Sequence, residues 1–291
     1  MNLIFPQINS NLILTQAPYT AAGEFETVSV DMESGMRWSF SRRGNTDLSD
    51  YPIGSLGKFN LNYPSITDAE VAVLRAFMAT TKGRYHAFRF LDPSGNLLKY
   101  SEDFSAMDWI KSGISYSPGQ TDPFGGDGNL ASLLTGSYSN SYLCAQIGSS
   151  NGLSGFIINT SVWLKGNFPG QTVGLSLIDI NNPTAPLRQN LLSLSTSWAR
   201  YSMNVLLWDN TSYGVMLGGA GTWADSVYVY GFQVAPSKGE CAYTRSPDNY
   251  GDHANVRFDT DTFTYQGIGP NQNSVSLPCV EYFPGSSGSV E

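Results

Sequence analysis

His86 and His253 are the only histidines in 291 residues, and neither has the neighbours that hydrolysis needs. A Ser-His-Asp arrangement sets an imidazole between a nucleophile and a carboxylate. His253 reads as a loop residue with no serine or cysteine motif beside it. His86 alternates with Phe88 and Phe90, the pattern of a packed ring. A glycosidase needs two carboxylates about 5 to 9.5 Å apart, and no pair here singles itself out. Cys144, Cys241 and Cys279 are odd in number, widely spaced and without a zinc pattern. At least one thiol is then unpaired unless it bonds to another chain, which fits folding in a reducing cytoplasm. Glu102, Asp103, Asp108 and Asp225 supply the hard oxygens that calcium prefers. They follow no calcium-loop spacing, and solvated turn carboxylates are the plainer reading. Gly218-Gly219-Ala220-Gly221 lacks the Gly-Lys-Ser/Thr ending and following helix of a phosphate loop, so it reads as a hairpin turn. The expectation is a chain with no catalytic residue, no cofactor and no metal.

Two other kinds of chemistry remain, stacking and charge pairing. Trp163 falls on the polar row of a strand, beside Asn159, Ser161 and Lys165. A ring held there offers a flat face to a sugar, with an amide and an ammonium for its hydroxyls. The competing reading is a tryptophan covered by a loop or by another subunit, since tryptophan is usually well buried. Tyr142 and Trp223 are weaker candidates of the same kind. Arg37, Arg42 and Arg43, with Arg75, Arg84 and Arg89, concentrate positive charge early in the chain. Guanidinium groups there suit bidentate pairing with carboxylates of a neighbouring subunit, or simply a solvated face.

What positions these groups is mostly β-structure. Thr67–Pro93 carries the single convincing helix signal. Thr67 and Glu70 form a capping box; Val71, Leu74, Phe77 and Met78 share one face; Gly83 suits a left-handed C-cap. Tyr85–Leu91 then alternates as a strand, and Asp92-Pro93-Ser94-Gly95 reads as a turn. Before the helix, 24–32, 36–41 and 58–63 alternate as strands. From Leu97 the chain turns rich in Ser, Gly and Asn. About eight short strands can be read in 98–246, the number that closes a jelly roll. Phe156–Lys165, Thr172–Asp179 and the row Tyr201, Met203, Val205, Leu207 alternate, whereas Ser226–Val234 is apolar on both faces, as in a central strand. After Ser246, 255–258 and 262–266 read as a hairpin, and a last strand carries Val275, Leu277 and Cys279. Pro278 places that strand at an edge or a bulge. Three pieces are too few for a domain of their own. The expected parse is one β-barrel or sandwich made from 1–97 and 247–285, with its helix at 67–83. An antiparallel β-sandwich, 98–246, is inserted into it, and 286–291 is a loose tail.

A net charge of −8 without a basic cluster argues against stable nucleic-acid binding. The first residues lack the charged and apolar regions of a signal peptide, and no apolar run approaches the roughly 20 residues of a membrane span.

Two resemblances bear on function. The run Glu33-Ser34-Gly35-Met36-Arg37, Trp38, Arg42-Arg43, then the helix and Gly83…Phe88-Arg89-Phe90-Leu91-Asp92-Pro93, is similar to the distal tail protein family of long-tailed bacteriophages. The closing VRFDTDTFTY…GPN…VSLPCVEYF resembles the way such proteins finish. About half the chain is covered. The resemblance implies a virion structural protein made in the host cytoplasm. It would form a ring, usually of six copies, that joins the tail tube to baseplate or tail-tip proteins and lets DNA pass unbound. Residues Leu97–Phe104, Trp109, Trp198-Ala199-Arg200-Tyr201, Tyr230–Val234 and Tyr243-Thr244-Arg245 resemble the carbohydrate-binding-module-like jelly rolls of phage tail proteins. That implies an outward domain touching a host-surface polysaccharide or serving as a spacer. A stand-alone sugar-binding protein or an envelope glycan hydrolase is the alternative.

Overall fold

A computed structural model describes residues 3–8, 12–16, 58–125, 130–148, 153–208, 212–223, 225–246 and 250–281. The strands expected at 24–32 and 36–41, the tail at 286–291, and Arg37, Arg42 and Arg43 lie outside the described residues. Two compact units result: residues 1–90 with 253–291, and residues 91–252.

In the first unit, helix α1 spans Asp68–Thr81. Its start is the capping box expected from Thr67 and Glu70. Thr67 Oγ1 accepts the Glu70 amide at 3.2 Å, and Glu70 Oε2 accepts the Thr67 amide at 3.0 Å. Val71, Leu74 and Met78 are buried. Further along, Asp68 N donates to Asn271 Oδ1 at 3.0 Å and Asn273 donates back to Asp68 at 2.7 Å, so the helix start is pinned to a distant turn. The helix stops one residue earlier than Gly83 suggested: Lys82 takes the left-handed C-cap at φ 54°. Gly83 is left-handed too, and a Cβ there would strike Asp261.

The sheet of this unit places β1 (Ile13–Gln16) beside β2 (Lys58–Ile66), then β16 (Gln272–Glu281), β14 (Tyr250–Phe258) and β3 (Phe88–Asn96). Strand β15 (Tyr265–Gly269) pairs with β16. Chain start and chain end therefore meet in adjacent antiparallel strands, with Leu277 opposite Leu61 and Cys279 opposite Phe59. The core joins Leu61, Tyr63, Leu74, Phe88, Phe258 and Leu277. Phe5, Phe77, Phe88 and Phe258 meet edge-on or tilted at 4.9–6.5 Å, separations at which aromatic pairs add to simple burial.

Four local expectations change. The strand after the helix begins at Phe88, not Tyr85, so His86 is exposed and meets the Tyr85 ring edge-on at 4.6 Å. Residues 92–95 do not reverse the chain: Asp92 Oδ1 accepts Ser94 N at 2.8 Å inside a strand that runs on to Asn96. The C-terminal hairpin is β15–β16, turning at Pro270-Asn271 with Asn271 at φ 52°, and β14 pairs with β16 instead. Pro278 thus lies in a central strand. It is tolerated because the β14 ladder begins only at Cys279, while the Pro278 carbonyl still accepts Asp259 N at 2.8 Å.

The second unit is an antiparallel sandwich of two five-stranded sheets. One runs β10 (Asn182–Leu194), β9 (Gln171–Asp179), β12 (Tyr213–Gly218), β7 (Tyr142–Gln146), β4 (Trp109–Ser112). The other runs β11 (Ala199–Leu206), β8 (Ile157–Gly166), β13 (Ser226–Ala235), β6 (Ala131–Gly136), β5 (Ile114–Gln120). Inward residues such as Leu134, Val162, Leu175, Val215 and Phe232 are fully buried between them. The expected hairpin at 218–221 is an arch instead, because β12 and β13 belong to different sheets. Gly218, Gly219, Ala220 and Gly221 all take positive φ, from 47° to 87°. A Cβ on Gly218 would collide with the Trp223 ring and the Ser141 carbonyl.

Where the chain enters and leaves this unit, it is stapled to β13. Asn96 is wholly buried and uses its entire amide. It donates to the Phe232 carbonyl at 2.9 Å and the Thr244 carbonyl at 3.2 Å, and accepts Leu98 N at 3.1 Å and Val234 N at 3.0 Å. Ser101 and Ser246 exchange backbone and side-chain bonds at 2.9 Å.

Candidate functional site

Trp163 is half-buried on the outward face of the β11-β8-β13-β6-β5 sheet. Pairing register fixes its neighbours: Arg200 on β11 and Tyr230 on β13 lie directly opposite. Phe124 stands edge-on to Trp163 at 5.5 Å and to Tyr230 at 5.9 Å. A loop residue thus covers part of the indole, and its Nε1 is buried with no hydrogen-bond partner among the described residues. The polar partners expected around it are mostly taken. Asn159 donates to Asn204 at 2.7 Å, and Ser161 accepts from Arg200 at 2.9 Å.

Lys165, two positions along β8, is differently placed. It pairs in register with Tyr228. Its Nζ lies 4.1 Å from the Tyr228 ring centroid and 5.4 Å from that of Trp198, and the two rings meet at 6.4 Å and 71°. An ammonium over aromatic faces is attracted by the ring quadrupoles. The result is two neighbouring rows, Arg200–Trp163–Tyr230 and Trp198–Lys165–Tyr228, each combining aromatic rings with one cation. Sequence alone marks Trp163 but not the second row, because Lys165 and Tyr228 are aligned only by the β8–β13 register and Trp198, just before β11, reaches them only through the fold.

Arg200 and Glu102 anchor what lies over this face. Arg200 Nη1 donates to the Cys241 carbonyl at 2.7 Å and lies 3.3 Å from Glu240 Oε1; Nη2 donates to Gln233 Oε1 at 2.7 Å. Glu102 accepts the Tyr230 hydroxyl at 2.8 Å and the Tyr243 hydroxyl at 3.1 Å. Arg245 Nε stands 2.9 Å from Glu102 Oε2, poorly aligned for a hydrogen bond, so the contact is an ion pair. Burial, then the Glu102 bond, pushes the Tyr230 phenol upward, and burial does the same for Tyr243. Both stay neutral donors.

The carboxylates considered for calcium do not converge. Glu102 is occupied as described, Asp103 Oδ1 accepts Ser105 N at 2.9 Å, and Asp108 and Asp225 are exposed. Among the described residues no three His, Cys, Asp or Glu side chains gather. His253 lies on β14, not in a loop. It stacks on Phe90 at 5.9 Å and its Nδ1 pairs with Glu281.

The other two tryptophan-like candidates fall elsewhere. Tyr142 is half-buried on the outer face of the opposite sheet, packed against Cys144, Ile178 and Met216. Trp223 is only 4% exposed, its ring laid against Gly136 and Gly218. It has no face left to offer a ligand. The structure therefore does not bring Trp163, Tyr142 and Trp223 into one site.

The chain matches no protein-family model and no curated protein sequence. Among solved structures it is similar to the xylan-binding domain CBM22-1 from Paenibacillus barcinonensis Xyn10C, at 10% identity and TM-score 0.39, over 52% of this chain and 99% of that one. It is also similar to a CBM4 structure, at 13% and 0.33, over 50% and 88%. A third likeness is to the enzymatically active domain of tailspike protein 4 of bacteriophage CBA120, at 10% and 0.38, over 48% of this chain and 21% of that chain. The fold itself is mainly β, with one described helix and antiparallel sheets in a jelly-roll-like sandwich.

Proposed function

We propose that this chain is a non-enzymatic structural protein of a phage tail tip. Copies of its first unit close a ring, six in the form the resemblance implies, between the tail tube and the baseplate or tail-tip proteins. Its sandwich unit reaches outward toward host-surface glycan. The observation that carries this reading is the β16-β14-β3 order of the first unit's sheet. Strand β3, which holds Phe88–Pro93 of the early segment resembling distal tail proteins, lies beside β14, and β14 and β16 hold parts of the closing segment that resembles them. Ring closure would also cover strand edges that otherwise template aggregation. The glycan side of the reading is supported by the half-buried Trp163 and its aromatic neighbours on an outward sheet face. A lumen poor in basic residues would let DNA slide through, since each neutralised phosphate adds affinity.

Negative-stain imaging of the purified chain tests this. The expected image is a ring with a central hole and one peripheral lobe per copy. A uniform population of single chains, with turnover of a polysaccharide, would instead favour the stand-alone glycan-hydrolase reading.

A further inference from the structure

The proposed glycan role leaves the class of glycan open, and the row Trp198–Lys165–Tyr228 narrows it. Lys165 is half-buried between two rings near the end of β8, where its backbone pairs with Tyr228 of β13 and the β11 ladder ends at the preceding residue, Leu164, opposite Ala199. Among the described residues it has no carboxylate within ion-pair distance, whereas Arg200 in the neighbouring row is matched by Glu240, Gln233, Ser161 and a carbonyl. The chain as a whole carries a net charge of −8. A positive group kept ordered by aromatic contacts, and without a counter-charge among the described residues of an acidic protein, is complementary to an anion. The surrounding surface says which kind. Tyr228 and Trp198 present flat apolar area suited to the C–H faces of a sugar ring, and the next step along β13 places the Ser226 and Thr135 hydroxyls, 2.6 Å apart, beside them.

We infer that the Trp198–Lys165–Tyr228 row binds a polysaccharide whose repeat carries a carboxylate, a hexuronate, with the carboxylate on Lys165 Nζ and the pyranose against the two rings. This rests on the glycan-contact part of the function proposed above and adds the acidic class. A partly exposed ion pair supplies only a modest gain, so discrimination per site is about fivefold, multiplied by avidity if several copies share a ring.

The test is calorimetric titration of the full chain with polygalacturonate, with alginate and with carboxyl-reduced polygalacturonate, at low and at high salt. The expected result is binding of an acidic polymer at least about fivefold tighter than of the reduced one, a preference that fades as salt screens the pair. Lys165→Met, which keeps the stem and removes the charge, abolishes the preference; Lys165→Arg preserves it; Trp198→Ala weakens binding of acidic and reduced polymers alike. Equal binding of acidic and reduced polymers, or a preference that survives Lys165→Met in a folded chain, overturns the inference but leaves a neutral-glycan role standing. No binding in any arm overturns both, while the ring is judged separately by imaging.

Discussion

Asn96 offers the sharpest test of how the sandwich unit is closed. Replacing it with leucine conserves much of the volume and removes four hydrogen bonds at once. Left behind are the Leu98 and Val234 amides and the Phe232 carbonyl, in positions where Asn96 is 0% exposed and water has no access; the Thr244 carbonyl is nearer the surface. A buried backbone group stripped of its partner costs about 1–3 kcal/mol. Three such groups, with some relaxation, give about 3–5 kcal/mol, which for a unit of this size lowers its melting transition by roughly 10 °C. Differential scanning calorimetry of the full chain reads this directly, and urea titration followed by tryptophan fluorescence gives an independent value. Because Asn96 bridges the incoming segment, β13 and the outgoing segment, the sandwich transition should move while the transition of the first unit stays. A loss under about 1 kcal/mol would refute the reasoning and mean that these groups find other partners.

Gly218→Ala should destabilise the sandwich unit by about 3 kcal/mol or more, since the new Cβ meets both left-handed backbone strain and the Trp223 ring; wild-type melting in this variant would contradict the arch geometry. Burial, the largest cause in each case, raises the phenols of Tyr63, Tyr230 and Tyr243 above their unfolded value of 10.0. A raised folded pKa gives stability fully present below pH about 10 and lost as pH climbs through the folded values, so ultraviolet titration should show three phenols ionising only as the chain unfolds. Burial likewise pushes the Cys144 thiol up to about 12 and Cys279 higher. In the native chain at mildly alkaline pH, a disulfide reagent should reach the half-exposed Cys241 first and the other two only after denaturation; fast labelling of Cys279 would contradict its place in the core.

Local chemistry was the legible part of this fold. The capping box needs only Thr67 and Glu70 three residues apart, and alternation along Phe156–Lys165 separates the core row from the Trp163 row without knowledge of any partner strand. What escaped the sequence depends on pairing between distant segments. Pro278 suggests an edge, but an edge on the β14 side at one position suffices for a residue without an amide proton, and β16 is central otherwise. Gly218–Gly221 has a hairpin's composition, yet the strands it joins separate into different sheets. His253 acquires its Phe90 and Glu281 neighbours only through β3 and β16. The candidate site divides in the same way. An outward tryptophan is visible in the alternation, whereas Lys165 and Tyr228 become neighbours only through the β8–β13 register, and Trp198 joins them from the residue before β11. Trp223 misleads because two glycines far apart in sequence make the slot that buries it.

The function proposed above requires that the two ends of the chain form one self-sufficient, ring-forming body. Replacing residues 91–252 with a short Gly/Ser bridge and weighing the product by light scattering tests it most directly. The expected outcome is a soluble product with a cooperative unfolding transition and the mass of six copies. An unfolded product, or one that remains a single copy at every concentration, would contradict it.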